Sequence, residues 1–154
     1  MIGADGTGLV HGSSVAFERP EGAVGVLITG QSGTGKSELA LELMTLGARL
    51  IADDQTHLQR KGGLIRLSCP APIRGLIEIR GMGLLPATPV AQAPLRVIVD
   101  LDRRESERLP PPRWHDVDGI AIRLFRNCAS RAFAMAIRQY VLHCKWNELQ
   151  GKPV

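Results

Sequence analysis

The chain has 154 residues and a net charge of +4, with 44% apolar and 22% charged residues, which is the balance of one ordinary globular domain. No apolar stretch approaches the length of a membrane span and no secretory signal opens the chain, so a cytoplasmic protein without a membrane partner is expected. The three cysteines are scattered and show no metal-ligand spacing, which argues against a disulfide scaffold or a zinc site.

Apolar, β-branched runs separated by turn residues predict many short strands. In chain order, strands are predicted at residues 9–17 (one strand or a pair), 24–29, 48–52, 57–60, 64–67, 77–79 and 95–101. The runs 57–60 and 64–67 flank a glycine-containing turn and form a predicted hairpin. Residues 84–94 carry three prolines and no helical period, so a loop is predicted there.

Two stretches have helical periodicity. Apolar residues recur at helical spacing over residues 39–46, and Gly47 is a stop signal. The clearest helix is C-terminal, over residues 133–144, with Ser130 or Asn127 as a candidate cap. Helices are few and strands are many, so we predict an α/β fold with a mixed sheet rather than a doubly wound one.

Residues 30–37 match the phosphate-binding P-loop pattern. They are Gly30, Gln31, Ser32, Gly33, Thr34, Gly35, Lys36 and Ser37. The glycines let successive backbone N–H groups point at phosphate oxygens, Lys36 supplies a point charge, and the Ser37 hydroxyl suits Mg²⁺. The loop follows a predicted buried strand and precedes a predicted helix, whose N-terminus adds partial positive charge. The sequence therefore predicts a nucleotide-binding site.

Carboxylates near this loop are candidates for the chemistry. Asp53 and Asp54 directly follow the buried strand 48–52. One could hold Mg²⁺ and the other could take a proton from a hydroxyl, and neighbouring side chains at a strand end diverge, which favours two separate roles. Glu78 lies within an apolar strand, where a buried carboxylate would serve either an internal ion pair or a metal. A lone histidine such as His11 is a weak candidate by itself.

Arginines concentrate in two groups, at residues 103–113 and 123–138. They predict either a solvated basic face or a surface that attracts anionic phosphates or an acidic partner. Nucleic acid is not the expected partner, because the chain has only one Tyr, two Trp and three Phe to stack on bases.

Two motifs together resemble one family. Residues 30–54 and the stretch Ile77-Glu78-Ile79-Arg80-Gly81-Met82-Gly83 are similar to the catalytic domain of HPr kinase/phosphorylase, in the same order and spacing. The resemblance is dense over residues 11–83 and looser over 97–140. It implies a P-loop kinase-like, carboxykinase-like α/β fold, with a mixed sheet core, a P-loop helix and a C-terminal helix.

The resemblance implies an activity and partners. Members of this family use ATP and Mg²⁺ to phosphorylate a serine on the phosphocarrier protein HPr. They also run the reverse reaction, in which inorganic phosphate attacks phosphoserine and pyrophosphate is released. HPr or a paralogue is therefore the expected partner, and a homo-oligomer, a hexamer, is implied.

The resemblance also implies residue roles. Asp53 would be the base for the serine hydroxyl and, in reverse, the acid, and His11 would lie near the transferring phosphate. Arg108 would serve the reverse reaction, with Lys36 as the loop's catalytic cation. The implied ligands of Mg²⁺ are Ser37, Asp54 and Glu78.

The chain departs from the family in three ways. Residues 1–154 look like a single P-loop catalytic domain, the short form without the N-terminal domain of longer members. The segment after Gly83 is shorter and richer in proline, and Phe125 replaces a glycine before Arg126-Asn127. Two other classes remain open, which are a small-molecule kinase or carboxykinase-like enzyme and a non-catalytic nucleotide-sensing module.

Overall fold

A nine-stranded mixed sheet organises the chain in the computed structural model, which describes residues 2–154. The strands are β1 (Thr7–Arg19), β2 (Gly22–Thr29), β3 (Arg49–Ala52), β4 (Gln55–Lys61), β5 (Leu64–Ser68), β6 (Leu76–Ile79), β7 (Gly83–Pro86), β8 (Gln92–Arg104), β9 (Arg113–Val117), β10 (Ile120–Asn127) and β11 (Lys152–Pro153). The helices are α1 (Lys36–Thr45) and α2 (Phe133–His143). Strands β6 and β7 form a separate hairpin. The predicted α/β class with a large mixed sheet and two helices is confirmed.

The centre of the sheet is parallel. Strand β2 pairs in parallel with β8, and β8 pairs in parallel with β10, while β1 is antiparallel to β2. The carboxyl ends of β2, β8 and β10 therefore meet at one edge of the sheet. The glycine-rich loop leaves this edge at the end of β2 and enters α1.

Strand β2 is buried on both faces, which explains its continuous apolar run. Ile28 packs into a cluster between the sheet and the two helices, together with Leu43 and Ile137. Leu27, its neighbour, packs into a second cluster on the opposite face, with Leu58 among others. Strands β8, β2, β1, β4 and β5 form a closed circuit of pairings, and the second cluster contains residues of each of them together with residues of β9 and β10.

Most of the predicted strands are present, but the loop predicted over residues 84–94 is wrong. Residues 83–86 form β7, which pairs with β6, and β8 begins at Gln92, so only residues 87–91 lie outside strands. Prolines are tolerated here because Pro86 ends its short strand and because Pro94 lies near the start of β8.

The hairpin of β9 and β10 was not predicted. Its two-residue turn is Asp118-Gly119, and both residues have positive φ, at 51° and 82°. The N–H of Gly119 donates to Asp116 Oδ1 at 2.7 Å. An Asp-Gly pair between two strands is a strong hairpin signal, so the sequence carried the information.

The predicted side-chain cap of the C-terminal helix is also wrong. Helix α2 has Ala132 at its N-cap and no side-chain cap hydrogen bond. The hydroxyl of Ser130 instead accepts a hydrogen bond at 3.1 Å from the N–H of Ala132, which is the N-cap residue itself. At the other end, Arg19 Nη1 donates to the carbonyls of Val141 at 3.1 Å and Cys144 at 2.9 Å, where a cation suits the helix dipole. No helix among residues 2–154 is long and apolar enough to cross a membrane.

A bidentate ion pair joins the two ends of the segment that connects β8 to β9. Arg113 Nε and Nη2 donate to the two carboxylate oxygens of Glu105, each at 2.9 Å. These hydrogen bonds hold the pKa of Glu105 at about 2, below its ordinary value of 4.5. A carboxyl whose pKa falls on folding stabilises the native state at a pH above its unfolded pKa.

We expect Glu105→Gln to lower the urea midpoint of unfolding at neutral pH. The deficit should be full above about pH 4.5 and should vanish as the pH falls toward about 2, because the native carboxylate is protonated over that interval. Urea unfolding of wild type and variant across this range is the measurement. Glu107→Gln is the matched control, since Glu107 is a nearby exposed carboxyl outside the bidentate pair. A deficit that does not change with pH would contradict the assignment.

Candidate active site

Gly30 and Gly35 show why the loop of residues 30–37 needs glycine. Gly30 has φ of 154°, and a Cβ there would lie 2.5 Å from Thr34 Oγ1. Gly35, the N-cap of α1, has a left-handed backbone with φ of 99°. Both conformations are costly for residues with a Cβ. The loop therefore folds back on itself directly before the helix, as the predicted phosphate cradle requires.

Side chains brace this loop from inside. Lys36 is only 7% exposed, and its Nζ donates to the carbonyls of Gly30 at 2.7 Å and Gln31 at 3.0 Å. Thr34 Oγ1 donates to the same Gln31 carbonyl at 2.7 Å, and the N–H of Gln31 donates to Asp102 Oδ1 at 2.9 Å. No carboxylate pairs with Lys36 within the described part of the chain. Its charge is thus available to an anion in the loop.

Asp53 lies at the base of the site, where it is 5% exposed. Its Oδ1 accepts hydrogen bonds from Ser37 Oγ at 2.7 Å and from Ser13 Oγ at 2.8 Å. Its Oδ2 accepts from the backbone N–H of Glu78 at 2.9 Å. Both oxygens of this buried carboxylate are therefore satisfied, and Ser37 is oriented by it.

Asp54 faces the other way, as expected for neighbours at a strand end. Its backbone has φ of 65°, which is uncommon outside glycine. Its Oδ1 lies 3.3 Å from His11 Nδ1, and the side chains are 63% and 47% exposed respectively. His11, a weak candidate from sequence alone, is thus brought beside an exposed carboxylate.

A cleft of about 270 Å³ opens over the loop, and we call it the P-loop cleft. It is lined by Ser32, Gly33, Gly35, Lys36, Ser37, Glu38, Asp54, Glu78 and Arg80. It brings together the three residues named as magnesium ligands and two cations, Lys36 and Arg80. Arg80 was not predicted as a site residue; it lies in the turn directly after β6.

Glu78 is exposed, so the expectation of a buried carboxylate is wrong. In β6, Ile77 packs into the core beneath the helices, and the alternation of a strand turns Glu78 outward to the cleft. The internal ion pair considered for it is absent among the described residues. Arg108 is exposed between β8 and β9, and the structure does not place it on the P-loop cleft.

The oxygen donors of the cleft suit magnesium, which needs few protein ligands, better than a metal that is coordinated entirely by protein side chains. Residues 2–154 contain no group of three or more His, Cys, Asp or Glu side chains placed to hold a metal ion. Magnesium is commonly bound by one or two carboxylates together with substrate phosphates and water. Ser37, Asp54 and Glu78 on one cleft, beside a phosphate-binding loop, match that chemistry.

Comparisons with known proteins converge on one family. A model of the HPr serine kinase C-terminal domain matches residues 9–92. The HPr kinase/phosphorylase of Bordetella pertussis is 39% identical over 148 residues, which cover 84% of this chain and 48% of that protein. The HPr kinase/phosphorylase of an Acidovorax species is 42% identical over 113 residues, which cover 64% of this chain and 36% of that protein. The chain therefore spans about half the length of these relatives or less.

A solved structure has the same fold. The Hpr(Ser) kinase/phosphatase from Coxiella burnetii superimposes with a TM-score of 0.71 at 25% identity, over 87% of this chain and 93% of that one. The match extends well beyond the residues of the family model, so it includes strands from the C-terminal half of the sheet.

The two adjacent buried serines of β1 provide a test of the Asp53 network. Ser13→Ala removes a hydrogen bond to a buried carboxylate and the acceptor of the Asp54 N–H, and we expect it to cost about 2 kcal/mol of unfolding free energy. Ser14→Ala is the matched control, because Ser14 bonds only the neutral hydroxyl of Thr56, and about 1 kcal/mol is expected. Urea unfolding measures both. Equal costs, or a larger cost for Ser14, would contradict the proposed importance of Asp53.

Proposed function

Because this chain belongs to the HPr serine kinase C-terminal domain family, we propose that it transfers the γ-phosphoryl group of ATP to a serine of the phosphocarrier protein HPr or a paralogue. We propose also that it catalyses the reverse phosphorolysis, in which inorganic phosphate attacks phosphoserine, the serine hydroxyl is restored and pyrophosphate leaves. The observation that carries the proposal is the P-loop cleft, which joins the loop to Asp54, and Asp54 in turn contacts His11. Family membership favours a protein serine over a metabolite acceptor or a nucleotide sensor.

The loop supplies most of what phosphoryl transfer needs from a protein, which is positioning and charge neutralisation. Lys36 holds its charge at the base of the loop, and the N-terminus of α1 adds partial positive charge. Arg80 adds a second cation on the wall of the cleft. An anionic phosphate chain and inorganic phosphate are both suited to this environment.

Magnesium would be held on the oxygen-rich side of the cleft. We assign Ser37 and Glu78 as its ligands, two of the three donors that the family resemblance names, and the third, Asp54, has a different role in this proposal. When bound, the metal would neutralise charge on the phosphate oxygens. Asp53 orients the hydroxyl of Ser37 from below, as an outer partner of a metal ligand commonly does.

Two carboxylates, Asp53 and Asp54, are candidates for the general base that accepts the proton of the substrate serine. The family resemblance assigns Asp53, but its oxygens already accept three hydrogen bonds and it is buried. Asp54 is exposed, lines the cleft and lies beside His11. We therefore propose that Asp54 takes the proton in the forward direction and returns it in reverse. In this scheme Asp53 is a positioning residue for Ser37.

Two features of the proposal come from the family alone. Arg108 would assist the reverse reaction, which requires residues 105–112 to approach a P-loop cleft in the same chain or in another copy. We also propose that residues 1–154 act as one catalytic domain of P-loop kinase-like, carboxykinase-like type, and that copies assemble into a hexamer.

The deciding experiment incubates the protein with ATP, Mg²⁺ and purified HPr. We expect phosphoserine on HPr by mass spectrometry, and its loss with release of pyrophosphate when phosphate replaces ATP. HPr with alanine at the modified serine is the control for the acceptor, and Lys36→Ala is the control for the loop. If phosphoserine neither forms nor disappears, the proposed function is wrong.

The two aspartates can be separated by kinetics. We expect Asp54→Asn to lower kcat in both directions by roughly 10²- to 10⁴-fold while the KM for ATP stays within about threefold, because a general base is lost. Asp53→Asn should raise the KM for ATP, because Ser37 loses its charged partner. Steady-state rates with HPr measure both. If Asp53→Asn abolishes kcat at unchanged KM while Asp54→Asn remains active, Asp53 is the base.

A further inference from the structure

A second cleft lies between the β9–β10 hairpin, α2 and the C-terminal segment that ends in β11. It has a volume of about 250 Å³, and we call it the Trp114 cleft after an exposed residue on its wall. None of the described residues lines both this cleft and the P-loop cleft. The chemistry proposed above does not use it.

Strand pairing brings the main residues of the Trp114 cleft together. Trp114 of β9 lies directly opposite Arg123 of β10, so the two side chains share one face of the sheet. Ile122 belongs to the second core cluster, and Leu124 packs against it. Because side chains alternate along a strand, Arg123 points to the other face, where its Cζ lies 5.5 Å from the ring centre of Tyr140 in α2.

Arg123 is held in place without a carboxylate partner. Its Cζ also lies 4.5 Å from the ring centre of Phe125 and 5.9 Å from that of Trp114. Its Nη1 donates to two backbone carbonyls, at 3.2 and 3.3 Å. No carboxylate forms an ion pair with it among residues 2–154. The guanidinium has five N–H donors, so it is a fixed cation with donors left for a ligand.

The other charges of the cleft nearly balance. Lys152 of β11 adds a second cation, with its Nζ 6.0 Å from the ring centre of Trp114. The wall also carries one carboxylate, that of Glu148, which pairs with neither cation in the described part of the chain. Burial raises the pKa of Tyr140 above its ordinary value, so its hydroxyl stays protonated and adds no negative charge. Two cations and one anion favour a ligand with a single negative charge.

The indole of Trp114 offers a flat surface to such a ligand. Its side chain is 42% exposed, and it is not among the residues that the structure places in either core cluster. An indole ring on the wall of a cleft can pack against another ring, in offset or edge-to-face contact. The volume of about 250 Å³ is slightly below the range of roughly 300–1,000 Å³ for drug-sized ligands, so a molecule with one ring fits.

We propose that the Trp114 cleft binds a small monocarboxylic acid that carries one aromatic ring. The carboxylate accepts hydrogen bonds from Arg123, whose planar guanidinium suits two carboxylate oxygens, and Lys152 adds its charge. The ring packs on Trp114. Inorganic phosphate has no ring to fill the rest of the cleft, so it binds more weakly. This site does not depend on the proposed kinase activity.

Nuclear magnetic resonance of the ¹⁵N-labelled protein tests the proposal. The chain has two tryptophans, so the spectrum contains two indole N–H signals, and Trp114→Phe identifies that of Trp114. We expect benzoate and phenylacetate to shift this signal with saturation below about 10 mM. The neutral analogues benzamide and phenylacetamide should bind roughly tenfold more weakly or worse, because they lack the charge.

Three results would overturn the proposal. The first is no saturable shift with either acid, and the second is equal affinity for an acid and its amide or for inorganic phosphate. The third is displacement of phenylacetate by pyrophosphate and Mg²⁺, which would place the acid in the P-loop cleft.

Charge variants test where the acid binds. Lys152→Gln should weaken phenylacetate binding about threefold or more, and Arg123→Gln should weaken it roughly tenfold or more. Lys145→Gln is the matched control, expected within about 1.5-fold of wild type, because Lys145 is exposed in the same segment and does not line the cleft. Because Arg123 also packs among aromatic rings, the two lysine variants decide the test if Arg123→Gln fails to fold. Equal affinities in the two lysine variants would contradict the assignment.

Discussion

The candidate site depends on one buried carboxylate, that of Asp53. A charged group so far from water is costly unless its oxygens are hydrogen-bonded, and here Ser13, Ser37 and the backbone of Glu78 supply the donors. Those donors belong to β1, α1 and β6, while Asp53 itself follows β3. Four separate elements are thus joined at one charge. The requirement to satisfy that charge fixes the P-loop serine relative to the hairpin that carries Glu78.

The same arrangement separates scaffold from reacting surface. Lys36, Thr34 and Asp102 hydrogen-bond the backbone of the P-loop and hold its glycines at positive φ. Asp54 and Glu78, by contrast, line the cleft and are exposed. A site of this kind can change its protonation and its ligands while the sheet beneath it stays unchanged.

The sequence was sufficient where a local pattern decides the structure. The buried strand, glycine loop and helix around residues 24–46 were predicted because periodicity and glycine chemistry act within a few residues. Prediction from sequence failed where the structure of a segment depends on the strand it pairs with. Prolines made residues 84–94 resemble a loop, but β6 supplied a partner for β7, and Glu78 proved exposed because only one face of β6 meets the core.

The roles of the two aspartates show the same limit at the candidate site. Divergent side chains followed from their adjacency at a strand end, but which one faces the cleft depends on the left-handed backbone of Asp54. Asp54 is the middle residue of a tight turn in which the N–H of Gln55 donates to the carbonyl of Asp53 at 2.7 Å, and its own N–H donates to Ser13 Oγ at 3.3 Å. The bond to Ser13 joins residues that are 41 positions apart, so no short sequence pattern encodes it. Arg80 was missed for a related reason, since its place on the cleft depends on how the β6–β7 hairpin docks against the loop.

Because β2 pairs in parallel with β8, the segment that carries the motifs depends on a later part of the chain to complete its sheet. The P-loop, both aspartates and the Glu78 strand all lie before residue 92. Strand β2, however, obtains its second neighbouring strand only from β8. The paired residues of β2 and β8 are about seventy positions apart along the chain. Such non-local pairing forms late and slowly. On the ribosome, the phosphate loop would emerge with one side of its strand bare and prone to wrong partners until the C-terminal half followed. Integrity of the C-terminal half is therefore a precondition for a working loop, although the P-loop, both aspartates and the Glu78 strand precede it.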